Sequence, residues 1–190
     1  MSSIKRSVPM VLVVLTILLA GCTSDDNDGY LATFSEEGEI PMIEQASTDW
    51  GKTTSFEFEV NRSNLTRIAF SLAWHDDSGD GCADTFELTV VSADPSAVYQ
   101  PQQTNQGTSS IDMTVVVNQI PESRQSNDIR EIEDHLKKSA SQKGVGDWKV
   151  SITCVNVQTD CPDPKAEDHG NSWVLTVTIY YFDGKLLAKE

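Results

Sequence analysis

The segment Ser172-Trp-Val-Leu-Thr-Val-Thr-Ile-Tyr-Tyr-Phe182 carries large apolar residues at every second position. Successive side chains of an extended chain point to opposite faces, so a period of two predicts a β-strand with one buried face. The residues that would share this face are Trp173, Leu175, Val177, Ile179 and Tyr181. The segment therefore predicts a half-buried strand.

The same alternation recurs in five other segments, which are 56–60, 68–74, 86–90, 111–117 and 148–154. Signals in residues 30–50 are weaker, and there Ile40 and Met42 allow a short edge strand. Residues 100–110 are rich in Gln, Thr, Asn, Ser and Gly, a composition typical of an exposed loop. We therefore expect six strands and a seventh, weaker one.

One interval, at about residues 128–140, has a helical period instead. Ile129, Ile132 and Leu136 would share a face of this helix, and Asp128 with Glu131 fits a capping box. A single short helix among many strands indicates an all-β fold, because the apolar faces of two sheets can cover each other. We expect an antiparallel β-sandwich of about six to eight strands with one short crossover helix.

The beginning of the chain predicts export. Lys5 and Arg6 precede an apolar run from Val8 to Ala20, which is the pattern of a secretory signal peptide. The run is about 13 residues long, whereas a membrane-spanning helix needs about 20. We therefore expect a cleaved signal at residues 1–21 and an extracytoplasmic location for the rest.

The four residues Leu19-Ala20-Gly21-Cys22 resemble the lipobox of prokaryotic lipoproteins. The resemblance implies cleavage before Cys22 and lipid attachment to its thiol. Acyl chains can hold a soluble domain at a membrane without a protein span. Residues 22–50 are expected to form an acidic tether with the short edge strand, and residues 51–190 the β-sandwich domain.

Removal of residues 1–21 takes away two of the 14 Lys and Arg and none of the 29 Asp and Glu, so the formal net charge moves from −15 to about −17. Such a charge repels nucleic acid, and no nucleic-acid partner is expected. The expected partners are the membrane, through the lipid, and an extracellular protein or glycan.

The segment from Asp76 to Glu87 has the spacing of a calcium-binding loop. Its candidate side-chain ligands are Asp76, Ser78, Asp80, Asp84 and Glu87, with the Cys82 carbonyl as a further donor. The flanks are predicted to be strands, which disfavours a helix-loop-helix and leaves an Asp-rich connection between strands. The alternative is a polar turn in which Asp and Gly serve turn geometry.

Three cysteines remain if Cys22 is acylated, and an exported protein can form disulfides. We expect a disulfide between Cys154 and Cys161, because they are close in sequence. The alternative pair is Cys82 with Cys161, which would connect two acidic loops. Asn61 and Asn64 each begin a short glycosylation sequon in a predicted turn.

Residues 55–182 resemble the prepeptidase C-terminal and P-domain group of jelly-roll β-sandwiches. The similar segments are 55–60, 72–74, 84–88, 146–150 and 172–177. The family implies a jelly-roll accessory module that stabilises, binds or targets, sometimes with calcium, and that has no catalytic residues.

The sequence contains no nucleophile elbow, zinc-peptidase motif, phosphate loop or dinucleotide fingerprint. We therefore expect a non-enzymatic, lipid-anchored surface module that binds a ligand or partner. The alternatives are a calcium-stabilised structural envelope protein and a β-sandwich hydrolase.

Overall fold

The computed structural model describes residues 29–49, 51–75, 84–94, 98–99, 102–105, 109–155 and 171–189. These residues form ten strands and one helix. The strands are β1 Tyr30–Thr48, β2 Thr53–Val60, β3 Leu65–His75, β4 Asp84–Val91, β5 Val98–Tyr99, β6 Gln102–Asn105, β7 Ser109–Val116, β8 Arg124–Ser126, β9 Gly146–Val155 and β10 Asn171–Ala188, and the helix is α1 Ile129–Ser139.

The strands form two antiparallel sheets. Sheet A has the order β7-β3-β10-β1-β8. Sheet B has the order β2-β9-β4, and the short strands β5 and β6 pair one after the other along the free edge of β4. The chain passes repeatedly from one sheet to the other. As a result, one layer contains β1, β10, β3 and β7 in that order, and the layer that faces it contains β2, β9, β4 and the short strands β5 and β6. This is a jelly roll, and the predicted all-β sandwich is confirmed.

The core lies between the two sheets. The six alternating segments supply the inward-facing side chains. Most of these are almost completely buried, including Trp74, Trp148 and Trp173, whereas Phe56, Phe58 and Met113 are partly buried. The described strands number ten rather than about six to eight because β5, β6 and β8 are only two to four residues long. Strand β6 lies in the segment predicted to be a loop, where an edge strand needs only backbone bonds to β4.

The strand predicted in residues 22–50 is present, but it is much longer than the short edge strand expected there. Strand β1 is 19 residues long and pairs with β10 along its length. An extra residue between Glu39 and Met42 forms a bulge in the β1–β10 pairing, and a bulge shifts the alternation of side chains. The period of two is therefore lost in the sequence, although the strand continues. The sandwich accordingly begins at Tyr30 rather than at residue 51.

Helix α1 lies where the sequence predicts it, with a different cap. The Asp128 carboxylate accepts a hydrogen bond from the Arg130 backbone N–H at 2.9 Å. Glu131 accepts from the Ser126 hydroxyl at 2.9 Å, and the Asp128 N–H donates to that same hydroxyl at 3.1 Å. The Ser126 hydroxyl thus bridges Asp128 and Glu131, the two residues of the predicted capping box.

No helix in the described residues is both long and apolar enough to cross a membrane.

Candidate functional site

The sandwich has two chemically different ends. At one end, here called the loop end, residues 49–52, 76–83, 106–108 and 156–170 connect the strands. At the other, here called the tether end, β1 begins, β10 ends, and β8 and α1 pack beside them. Strand β1 runs from one end to the other.

The two acidic loops of the sequence each cross from one sheet to the other at the loop end. Residues 76–83 lead from β3 to β4, and residues 156–170 lead from β9 to β10. Strand β3 pairs with β10, with His75 opposite Ser172, and β4 pairs with β9, with Thr85 opposite Val155. Both loops therefore leave and enter the sandwich side by side.

The predicted calcium ligands are only partly within the described residues. Asp76, Ser78 and Asp80 lie outside them, as does Cys82. Asp84 begins β4, and Glu87 lies on the outer face of the same strand, where it accepts a hydrogen bond from the Thr89 hydroxyl at 3.4 Å. The flanks of the loop are strands, as predicted, and calcium binding stays a prediction.

Polar groups occur at the loop end of the otherwise apolar core. The Trp173 indole N–H donates to the Thr48 hydroxyl at 2.9 Å, and Thr48 shares a second hydrogen bond with Thr54 at 2.8 Å. The Trp74 indole N–H is buried and has no hydrogen-bond partner among the described residues. An unsatisfied buried donor costs about 1–3 kcal/mol.

Cys154 is the described member of the predicted disulfide. It is fully buried on the inward face of β9, opposite Phe86 in the pairing with β4. Its backbone N–H donates to the Lys52 carbonyl at 3.2 Å, and its carbonyl accepts from the Gly51 N–H at 2.9 Å. Cys161 and Cys82 lie outside the described residues, so the pairing stays a prediction.

The two sequon asparagines differ in environment. Asn61 is exposed. Asn64 has a left-handed backbone with φ 61°, and its side-chain oxygen accepts from the Ser141 N–H at 2.9 Å. The Asn64 carbonyl accepts from the Phe182 N–H at 3.0 Å. Asn64 therefore has a structural role, and glycosylation stays a prediction for both residues.

A cluster that sequence reasoning missed lies where the β1–β10 pair emerges from the sandwich. On the outer face of sheet A, the Arg67 guanidinium stacks 3.8 Å from the centre of the Tyr180 ring and donates to Glu36 at 2.9 Å. Thr66 donates to the same carboxylate at 2.5 Å. Burial alone would raise the pKa of Glu36, but the hydrogen bonds from Arg67 and Thr66 and the charge of Arg67 outweigh it and lower the pKa.

The opposite face of the β1–β10 pair repeats this arrangement. The Arg62 guanidinium lies 5.0 Å from the centre of the Tyr181 ring and pairs with Glu39 at 3.2 Å. The Tyr181 hydroxyl donates to Glu37 at 3.2 Å. Burial first, and then this hydrogen bond, raise the pKa of Tyr181. The adjacent tyrosines Tyr180 and Tyr181 are the only local sequence signal for this cluster.

A depression of about 310 Å³ lies beside the outer face of sheet B. Glu57, Asp147 and Lys149 line it together with residues 91–93. Glu57 pairs across the strands with Lys149, and Asp147 pairs with Glu59. The two carboxylates therefore stand on one sheet face rather than on opposite walls of a cleft, and hydrolysis by paired carboxylates needs groups on both sides of a substrate bond.

Comparisons with known proteins give no family. No protein-family model matches this chain, and no curated protein matches it. Among solved structures, the VP2 subviral particle of infectious bursal disease virus is similar with 12% identity and a TM-score of 0.33, covering 93% of this chain and 47% of the viral chain. The Gx strain of the same virus gives 12% identity and a TM-score of 0.29, covering 92% and 44%. The chain thus spans less than half the length of these viral chains, and similarity at this level does not indicate a shared function.

Proposed function

We propose that this protein is an exported, non-enzymatic module, anchored to a membrane by lipid on Cys22, that binds an extracellular protein or glycan through its loop end. The observation that carries the proposal is the direction of β1. The strand starts at Tyr30, a few residues after the predicted lipid, and ends at Thr48 at the loop end. A strand of this length spans about 60 Å at 3.3 Å per residue.

Anchoring at Cys22 would therefore hold the tether end near the bilayer and display the loop end away from it. Long connections on a rigid sandwich are where binding residues commonly lie. Four connections join strands at the loop end, and the two acidic ones both run between the β3–β10 pair of sheet A and the β4–β9 pair of sheet B.

The anchor is tested by cell fractionation and mass spectrometry of the full chain. We expect the wild-type protein in the membrane fraction, with an N-terminal peptide that begins at an acylated Cys22. Cys22→Ser should release the protein from the membrane, whereas Cys161→Ser, which leaves the lipobox intact, should not. An unmodified amino terminus on a cytosolic product would refute the anchor.

The binding role is tested by a pull-down against cell-wall glycans and secreted proteins. Substitutions in the loop 156–170, such as Asp163→Asn with Asp168→Asn, should weaken capture. The matched change Asp183→Asn at the tether end should leave capture unchanged. Turnover of a substrate without stable binding would contradict a non-enzymatic role.

A calcium-stabilised structural protein is the second candidate. Residues 76–84 and 160–171 each contain four Asp and Glu, and Lys165 is their one cation. Because these segments begin and end beside each other on the β3–β10 and β4–β9 pairs, a bound divalent cation would offset their mutual repulsion. Calcium should then raise the Tm and a chelator should lower it. Asp80→Asn should abolish this response, and Asp112→Asn on β7 should preserve it.

A further inference from the structure

Positive charge is concentrated at the tether end. Residues 124–139 and 182–189 hold six of the twelve Lys and Arg that follow Cys22, together with only five acids. The six cations are Arg124, Arg130, Lys137, Lys138, Lys185 and Lys189. These two segments thus have a formal net charge of about +1, or about 0 with the adjoining Glu190, whereas the rest of the chain from residue 22 has about −17. The protein is strongly polarised along its length.

The same end exposes apolar side chains at its tip, which consists of residues 30–32, 124–130 and 185–189. Leu187 is 46% exposed, and Leu186 and Ile129 are each 37% exposed. Leu186 lies opposite Ala32 and Leu187 opposite Leu31, so the two leucines project from opposite faces of the β1–β10 pair. Apolar side chains flanked by lysines are the combination that suits the interface of a bilayer.

The predicted anchor starts beside these residues. The Lys189 N–H donates to the Gly29 carbonyl at 2.7 Å, which fixes the start of the described chain against its end. Six residues separate Cys22 from Gly29, so the chain between them can span at most about 25 Å. Three of them, Asp25, Asp26 and Asp28, are acidic, so an attractive contact with an anionic surface has to come from the folded tip.

We propose that the tip formed by residues 30–32, 124–130 and 185–189 docks onto the surface of an anionic lipid bilayer. The proposal rests on the lipid anchor proposed above and adds an orientation to it. Exposed Leu186, Leu187 and Ile129 contact the interfacial region, and Lys185 and Lys189 face the headgroups. Repulsion between the bilayer and the remaining acidic surface keeps the loop end directed outward.

The test uses the full lipidated chain in vesicles of phosphatidylcholine with and without phosphatidylglycerol. A photoreactive benzophenone amino acid replaces Leu187 in one variant and Ile43 in the control. Ile43 is 47% exposed, which matches Leu187, but it lies in the middle of β1 opposite Thr176. We expect crosslinking to phospholipid from position 187 and little from position 43.

Charge reversal separates docking from simple proximity. Lys185→Glu with Lys189→Glu should reduce crosslinking from position 187 by about fivefold or more on anionic vesicles. Equal lipid crosslinking from positions 187 and 43, or equal crosslinking from position 187 on neutral and anionic vesicles, would overturn the proposal while lipid on Cys22 is still detected. An unlipidated Cys22 would instead overturn the anchor, so the two failures are distinguishable.

Discussion

The two halves of the β1–β10 pair bury opposite faces. In the half nearest the loop end, β10 directs Trp173, Leu175, Val177 and Ile179 into the core between the sheets. In the half nearest the tether end, Phe182 is buried on the other face, beneath α1. It meets the Phe34 ring there edge to face, with ring centres 5.6 Å apart. One pair of strands therefore takes part in two cores.

The change of face coincides with the arginine–tyrosine cluster. Tyr180 and Tyr181 lie between Ile179, the last inward residue of the main core, and Phe182. Each tyrosine ring is covered by an arginine that also pairs with a glutamate of β1. Polar and aromatic groups thus fill both faces where neither core extends. The two cores are unequal in size, so substitutions in them should have unequal costs.

The largest difference is expected between a core residue and a tip residue, and the test compares two leucines of the same strand. Leu175 is fully buried between the sheets, and Leu187 is exposed at the tip. Leu175→Ala should reduce the free energy of unfolding by about 3–4 kcal/mol, from lost burial and a residual cavity. Leu187→Ala should change it by about 0.5 kcal/mol or less. Urea denaturation measures both, and equal costs would contradict the comparison.

A smaller effect is expected at Asn64, which connects the two regions. Its side chain accepts from Ser141, just after α1, and its carbonyl accepts from Phe182. Asn64→Ala should cost about 2 kcal/mol, because alanine is strained at φ 61° and the Ser141 N–H loses its partner.

Asn64→Gly is the matched control, because glycine adopts this backbone freely but lacks the amide. Its cost should be about 1 kcal/mol, which isolates the hydrogen bond. The same denaturation measurement applies. If the alanine and glycine variants lost the same free energy of unfolding, backbone strain would not contribute to the cost of Asn64→Ala.

The packing of α1 against sheet A is tested at Gly184. A Cβ at this position would lie 2.9 Å from Leu136 Cδ2 and 3.0 Å from Phe34 Cε1. Gly184→Ala should therefore cost about 1 kcal/mol through overpacking. In a Leu136→Ala background the same substitution should cost measurably less, because the nearest contact is gone. A purely additive double-mutant cycle would show that α1 does not press on Gly184.

Most of the fold could be predicted from the sequence because six strands each bury one face over several residues. At residues 68–74 and 172–181, the apolar residues that recur at every second position are the ones that pack in the core. The full length of β1 could not be predicted, since its bulge between Glu39 and Met42 interrupts the period. The three shortest strands are held by backbone bonds to longer neighbours, which leave no pattern in their side chains.

The residues of the arginine–tyrosine cluster could not be predicted for a different reason. Arg67 and Glu36 are 31 positions apart in the sequence, and Asn64 and Ser141 are 77 apart. Such partnerships depend on strand register, which no local spacing encodes. The sequence does identify the acidic segments around Asp80 and Asp163, because those depend on composition alone. It does not indicate that they connect the same two pairs of neighbouring strands.

The smallest expected effect is the pH dependence of the Glu36 pair. Because the folded state lowers the pKa of Glu36 below its ordinary 4.5, the ionised carboxylate stabilises the fold at neutral pH, and this contribution is lost as the pH falls through the lowered pKa. Glu36→Gln should cost about 0.5–1 kcal/mol at pH 7, since the side chain is still 26% exposed and Arg67 is 40% exposed.

The difference in unfolding free energy between wild type and Glu36→Gln should therefore narrow as the pH falls below the ordinary carboxyl pKa of 4.5 and through the lowered pKa of Glu36. Urea denaturation at several pH values measures it, with Glu44→Gln on the same strand as the control for removing one acid from β1. The introduced amide still offers an acceptor to Thr66, but it no longer attracts the charge of Arg67. If the difference in unfolding free energy stayed constant from neutral to acid pH, the charge of Glu36 would not contribute to the stability of the β1–β10 pair.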